Sequence, residues 1–219
     1  MLIAAILIAT TALSPPHGFK ISRIGQGIRV PDAEVLNVSQ DLTIEAWIKP
    51  SGEFLGGPFH FIVSKNYATM GYALLLIGGD NNCRIQFEAR EVVSTEMPMS
   101  VLKWHWWHVA GVYRDRKSLT LYVNGVKAAE RPATLPLGLF SGPLTIGTSP
   151  WDTFLGRIGD VRIWSVARSQ EQIVEFMDKK IEPSTPGLVA DYDLSDVRHD
   201  RVQDRTGRSP DGTVLSGHH

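Results

Sequence analysis

From Ile28 onward the apolar residues of this chain recur with a period of two, and a helical period shows in one short segment alone. In Leu42-Thr-Ile-Glu-Ala-Trp-Ile-Lys49 the side chains of Leu42, Ile44, Ala46 and Ile48 share one face, with Glu45 and Lys49 on the other. That pattern predicts a strand with one buried face. Leu119-Thr-Leu-Tyr-Val123 alternates in the same way and runs into Asn124-Gly125, the dipeptide that most readily supplies two positive φ angles, so a tight hairpin into Val126 to Ala129 is expected. Further strands are expected at Phe59 to Lys65, Tyr72 to Ile77, Arg84 to Ala89, Trp107 to Tyr113, Leu144 to Ile146, Ile158 to Trp164 and Leu188 to Asp193. Turn formers such as Gly78-Gly79-Asp80-Asn81-Asn82 divide them. Many short strands at this spacing build an all-β sandwich or barrel. One short helix is expected after Ser169, whose hydroxyl caps the first turn while Gln172 returns the bond, with Ile173, Phe176 and Met177 as its apolar stripe. It is expected to plug one end of the sandwich.

At 219 residues the chain is sized for one such domain. With 43% hydrophobic and 21% charged residues it is globular rather than disordered, and a net charge of −1 leaves no basic surplus to point to nucleic acid. The single cysteine, Cys83, makes neither an internal disulfide nor a thiolate metal site. Residues Leu2 to Leu13 form an uncharged apolar run that breaks at Ser14-Pro15-Pro16-His17-Gly18. As a helix the run is ~18 Å long, too short to span a bilayer. Two readings stay open for residues 1–17: a cleaved secretory signal that lacks a basic n-region, or a retained β-branched strand that joins its own sandwich or the edge of a neighbouring copy. Residues 18–217 form the sandwich domain, and nothing divides them.

Five blocks of residues then stand in a particular order: Leu42-Thr-Ile-Glu-Ala-Trp-Ile-Lys-Pro50, Trp106-Trp-His-Val-Ala-Gly-Val-Tyr113, Leu119-Thr-Leu-Tyr-Val-Asn-Gly-Val126, Phe154-Leu-Gly-Arg-Ile-Gly-Asp-Val-Arg-Ile-Trp164 with Ala167-Arg-Ser-Gln-Glu-Gln-Ile173, and Leu188-Val-Ala-Asp-Tyr-Asp193 followed by Asp204-Arg-Thr-Gly207 and Asp211-Gly-Thr213. In this order they resemble the laminin-G-like domains of the concanavalin A-like lectin/glucanase superfamily, over nearly the whole chain. The resemblance implies an antiparallel jelly-roll sandwich. It also implies a setting outside the cell, and a task among sugar binding, adhesion and, in some superfamily relatives, glycan cleavage. Fold alone does not choose between these.

Glycan cleavage with retention needs two carboxylates about 5 Å apart, which this fold usually presents as Glu-x-Asp-x-x-Glu on one strand. The chain has no such triplet. Glu88 and Glu91 have an offset that places them on opposite faces of a strand, and Asp191 and Asp193 share a face but lack a third partner. His105 and His108 stand at a spacing that joins zinc ligands on a helix and parts them on a strand, so His108 is expected to be structural. No HExxH, Gly-x-Ser-x-Gly or phosphate-cradling glycine loop occurs. A non-enzymatic binding module is therefore expected.

The resemblance further implies a structural calcium that pins the chain ends, with Asp204, Asp193 and Asp211 as its carboxylates. Calcium takes six or more oxygens. Where the family often carries an aspartate near the first strand this chain reads Ile24-Gly25-Gln26-Gly27, and Asp204 and Asp211 equally suit Asx-type turns. Of six tryptophans, Trp47, Trp106 and Trp164 are those the resemblance implies to be core. Trp151, beside Asp152 in a loop, is the first candidate for a sugar-stacking platform, with Trp104 and Trp107 behind it; capping the sandwich rim is the alternative for Trp151. Asn37-Val38-Ser39 is a glycosylation sequon. The expected partners are a carbohydrate or another macromolecule, or a second copy of the chain as a self-assembling subunit.

Overall fold

The computed structural model describes residues 17–53, 57–65, 71–79, 83–138, 140–149 and 152–217. In chain order the strands are β1 (Phe19–Ile21), β2 (Gln26–Val30), β3 (Leu42–Pro50), β4 (Phe59–Lys65), β5 (Tyr72–Ile77), β6 (Arg84–Ala89), β7 (Glu91–Glu96), β8 (Trp107–Arg114), β9 (Ser118–Val123), β10 (Val126–Pro132), β11 (Leu144–Ile146), β12 (Gly156–Trp164), β13 (Leu188–Tyr192), β14 (Arg201–Val202) and β15 (Gly212–Ser216). Two short helices interrupt them, α1 (Met99–Leu102) and α2 (Gln170–Phe176). One sheet runs β1-β12-β3-β8-β9-β10 with β13 also on β12, and the other runs β14-β15-β2-β11-β4-β5-β6-β7. Among the described residues every strand pairing is antiparallel, and the two sheets form an all-β jelly-roll-type sandwich.

Ile44, Ile48, Val109 and Leu121 from the first sheet meet Ile28, Val63, Leu74 and Phe87 from the second in one continuous core. The hairpin at Asn124-Gly125 has φ values of 48° and 74°, the two positive angles its residues predict. Ser169 caps α2 through a complete capping box with Gln172, also as expected.

Three expectations change. Where one helix was expected, the described residues hold a second, the four-residue α1 ahead of β8. The helix α2 does not plug an end of the sandwich. Its Ile173 packs against Ala110, Val112 and Tyr122 on the outer face of β8 and β9, because the apolar residues there share the parity opposite to the core. Nor does β3 bury one face only. The segment after β12 covers its outer side, so Thr43, Glu45 and Trp47 are all buried, and Trp47 Nε1 donates to the Met177 carbonyl at 2.6 Å.

Under that cover lies a charged cluster. Arg168 donates to Glu45 Oε1 at 3.1 Å and stacks 4.0 Å from the Trp164 ring, Trp164 Nε1 donates to the same oxygen at 2.9 Å, and His108 Nε2 lies 3.5 Å from Oε2. Burial alone would raise the Glu45 carboxyl, but the hydrogen bond and charge of His108, with Arg162 and Arg168, outweigh it and hold the group down at about 2.

Candidate functional site: a tryptophan-edged cavity on the first sheet

Beyond the reach of this cover, the first sheet carries an open cavity of about 410 Å³. Its lining is Lys20 to Ser22 of β1 and the turn after it, Lys49 and Ser51 at the end of β3, Glu53, Trp104, and Leu155 to Arg157 at the start of β12. Gly156 sets the floor. Its φ is 144°, and a Cβ there would fall 2.3 Å from the Lys49 carbonyl oxygen, so only glycine lets β12 close on β3 at this point.

Trp104 forms the rim. The helix α1 ends at Leu102, and the backbone then turns so that Trp104 takes a φ of 66° while its N–H donates to the Pro50 carbonyl at 2.8 Å. A bulky residue in the left-handed region costs about 1–3 kcal/mol. Trp104 is 59% exposed, so the turn leaves a large aromatic residue in the open. Serine hydroxyls, ammonium and guanidinium donors and one carboxylate surround that surface. An apolar platform beside convergent polar groups suits a molecule with flat apolar faces and many hydroxyls.

Of the four candidates for ligand contact, Trp104 is the one this cavity contains. Trp107 is a correction: it is fully buried, shares parity with Val109 and Tyr113 on the core side of β8, and donates from Nε1 to the Leu102 carbonyl at 3.0 Å. Its neighbour Trp106, expected in the core, is the half-buried one. Asp152 is also a correction. It is only 6% exposed, and its Oδ1 accepts from the Gly57 N–H, which ties the loop to the chain before β4 instead of facing a ligand. Trp151 and the segment Leu2 to Leu13 lie outside the described residues. Asn37 of the sequon is half-buried, just after a 3-10 turn at Glu34–Leu36.

The carboxylates assigned to calcium do not fit a cation cage. Asp204 Oδ1 accepts from the N–H groups of Asp191 and Thr206, and Oδ2 from the Thr206 hydroxyl and the N–H groups of Arg208 and Ser209, at 2.6 to 3.2 Å. Asp211 accepts from the Asp204 N–H, and Asp193 accepts from Ser195 and Arg205. A cation would have to displace these donors, and among the described residues no three His, Cys, Asp or Glu side chains gather as a ligand set. The Asx-turn reading holds for Asp204 and extends further, since its carboxylate organises the whole turn from Thr206 to Ser209.

The other carboxylates considered for chemistry are engaged as well. Asp191 is buried in a two-oxygen pair with Arg205, and Glu91 accepts from Thr134 and Leu135. Burial pushes the Cys83 thiol up to about 12, which leaves it in the unreactive thiol form.

Sequence reasoning missed the cations of the cavity. In the strand register Lys20 lies opposite Arg157, and Arg157 lies opposite Lys49, so three charges form one row across β1, β12 and β3. The three strands are distant in sequence, and only the pairing order brings them together.

An antiparallel sandwich of two such sheets is the fold of a lectin-like domain. The chain belongs to the laminin-G family of the Concanavalin A-like lectin/glucanases superfamily, whose pattern it matches over residues 22–174. It is 30% identical to mouse (Mus musculus) pappalysin-1 over 139 residues, which are 59% of this chain and 8% of that protein. Among solved structures it is similar to a candidate carbohydrate-binding protein of Bacteroides ovatus, with a TM-score of 0.68, 24% identity, and coverage of 89% of this chain and 59% of the other. It is also similar to domain 4 of an extracellular arabinanase of Geobacillus stearothermophilus in complex with arabinotriose, at a TM-score of 0.50, 22% identity, and coverage of 68% and 71%. These likenesses establish the fold. No helix among the described residues is long and apolar enough to cross a membrane.

Proposed function

We propose that the chain is a non-enzymatic carbohydrate-binding module, exposed outside the cell, that takes its ligand in the Trp104 cavity. The observation that carries this is the exposed Trp104 ring, held on a strained backbone at the rim of a cavity lined by polar side chains. A sugar ring stacks its apolar face on the indole while its hydroxyls reach Ser22, Ser51, Glu53 and the cations. Support comes from the similar solved structures, of which one is the arabinotriose complex of a domain from an extracellular enzyme. No step of bond cleavage enters this reading, because the carboxylates considered for one are spent on structural bonds.

The test is a glycan array followed by calorimetric titration of the best-bound saccharide. Trp104→Ala is expected to weaken binding about tenfold or more, from the loss of an aromatic contact, while the thermal midpoint stays within a few degrees. Binding unaffected by Trp104→Ala, or no saccharide bound at all, overturns the proposal.

A further inference from the structure

One wall of the Trp104 cavity, Lys20 to Ser22, rests on β1, a strand of three residues at the end of its sheet. Its pairing with β12 covers only the three positions Phe19 to Ile21, too few to keep an edge strand from opening locally. The downstream end has other support. Ile21 is buried against Gly147, where a Cβ would collide with Ile21 Cδ1, and the Ser22 N–H donates to Gln26 Oε1 at 2.8 Å. The upstream end is held from outside the strand. Gly18 has a φ of 65°, and a Cβ there would fall 2.7 Å from Trp106 Cη2 and 2.6 Å from the Ile158 carbonyl oxygen. Arg157 adds bonds to the carbonyls of His17 and Gly18 at 3.2 and 3.0 Å.

Trp106 differs from the core tryptophans. Trp47, Trp107 and Trp164 are buried, whereas Trp106 is half-buried and lays the far edge of its ring on Gly18. It stands two residues after Trp104, in the short loop between α1 and β8. That loop is fixed at two points: the Trp104 N–H donates to the Pro50 carbonyl at 2.8 Å, and Trp107 Nε1 donates to the Leu102 carbonyl at 3.0 Å. One anchored loop therefore carries the aromatic platform and presses on the strand that supplies the wall.

We infer that Trp106 is a positioning residue for the Trp104 cavity: its contact with Gly18 keeps β1 docked, and the docking of β1 sets how tightly the cavity holds a saccharide. The inference rests on the carbohydrate reading above and adds the control of that site. A saccharide that touches both Trp104 and the wall binds well only while β1 is docked, so its apparent dissociation constant rises as the docked fraction falls. The coupling runs both ways. A bound saccharide slows the opening of β1 by the same factor by which that opening weakens binding.

The experiment follows hydrogen exchange of the full chain by mass spectrometry, on peptides spanning β1, with the saccharide bound best on the glycan array as the probe. At about ten times its dissociation constant that saccharide should slow exchange at β1 about tenfold and leave β5 and β6 unchanged. In the free protein Trp106→Ala should speed exchange at β1 about thirtyfold, and it should weaken saccharide binding about threefold, with exchange in β3, β8 and β12 as in the parent. Trp106→Phe, which keeps a ring over Gly18, should restore most of both losses. Gly18→Ala, made on the other side of the contact, should reproduce both effects of Trp106→Ala. Exchange at β1 unmoved by either alanine variant overturns the inference. So does an acceleration spread evenly over both sheets, because Trp106 then serves the fold as a whole. A freed β1 with parental affinity also overturns it and leaves the Trp104 reading standing. Binding indifferent to Trp104→Ala, or no saccharide bound at all, removes the carbohydrate reading and this coupling together.

Discussion

Asp204 shows how much one side chain does when its oxygens are fully used. Five donors converge on its carboxylate, and they join β13 to the turn that leads into β15. Replacement with alanine leaves buried N–H groups without acceptors, at about 1–3 kcal/mol each before relaxation. Asp204→Ala is therefore expected to lower stability by about 3 kcal/mol, measured by urea unfolding, and by the same amount with added calcium as with chelator. A loss that appears only in calcium would restore the metal reading. The aspartates that resemble a calcium site thus act as acceptors for the backbone, a distinction invisible in residue type and spacing. Trp107 makes the same point by parity: adjacent tryptophans are equivalent as letters, and the strand direction alone sends one inward.

Among the elements, α2 is the clearest case of local and tertiary signals agreeing on existence and differing on place. Its capping box is complete, and Gln170 Nε2 donates to the Gly125 carbonyl, which ties the helix to the hairpin of β9 and β10. Seven residues are too few for a helix to stand alone, so cap and packing must both contribute. Ser169→Ala is expected to cost about 1 kcal/mol by chemical denaturation. Because α2 belongs to the segment that shields Glu45 and Trp47, the variant should also speed hydrogen exchange at α2 before it affects the core strands. Exchange that accelerates uniformly across both sheets would show that α2 has no such independent role.

The whole molecule is sealed on three layers, with the second sheet, the first sheet and the covering segment stacked in that order. The outer interface contains ions, which makes it sensitive to acid. Glu45 sits at about 2 in the folded chain against an ordinary value near 4.5, so its contribution is complete above about pH 4.5 and fades as pH falls toward 2. Glu45→Gln leaves the buried Arg168 without its anion, while Arg162 keeps Asp160 at 2.9 Å, and the loss is about 3–5 kcal/mol at neutral pH. The stability gap between the parent chain and Glu45→Gln, followed by urea unfolding at several pH values, should shrink through that acid range. A gap independent of pH would mean that Glu45 contributes by packing and not by charge. Burial raises the Asp160 and Asp191 carboxyls, an effect of opposite sign that the difference between the two proteins removes.

What the sequence determined by itself is the material governed by neighbours along the chain. The strands with period two, the Asn124-Gly125 hairpin and the Ser169 cap all depend on residues within a few positions, and all are where those residues place them. Five ordered blocks were enough for the family. Tertiary structure alone decided everything that depends on which strands become neighbours. It covered the outer face of β3, spent the aspartates on backbone donors, turned Trp107 inward and left Trp104 in the open. It also set Lys20, Arg157 and Lys49 in one row, although β1, β3 and β12 are far apart in the chain. Register is a property of pairs, and no single strand carries the information about its partner.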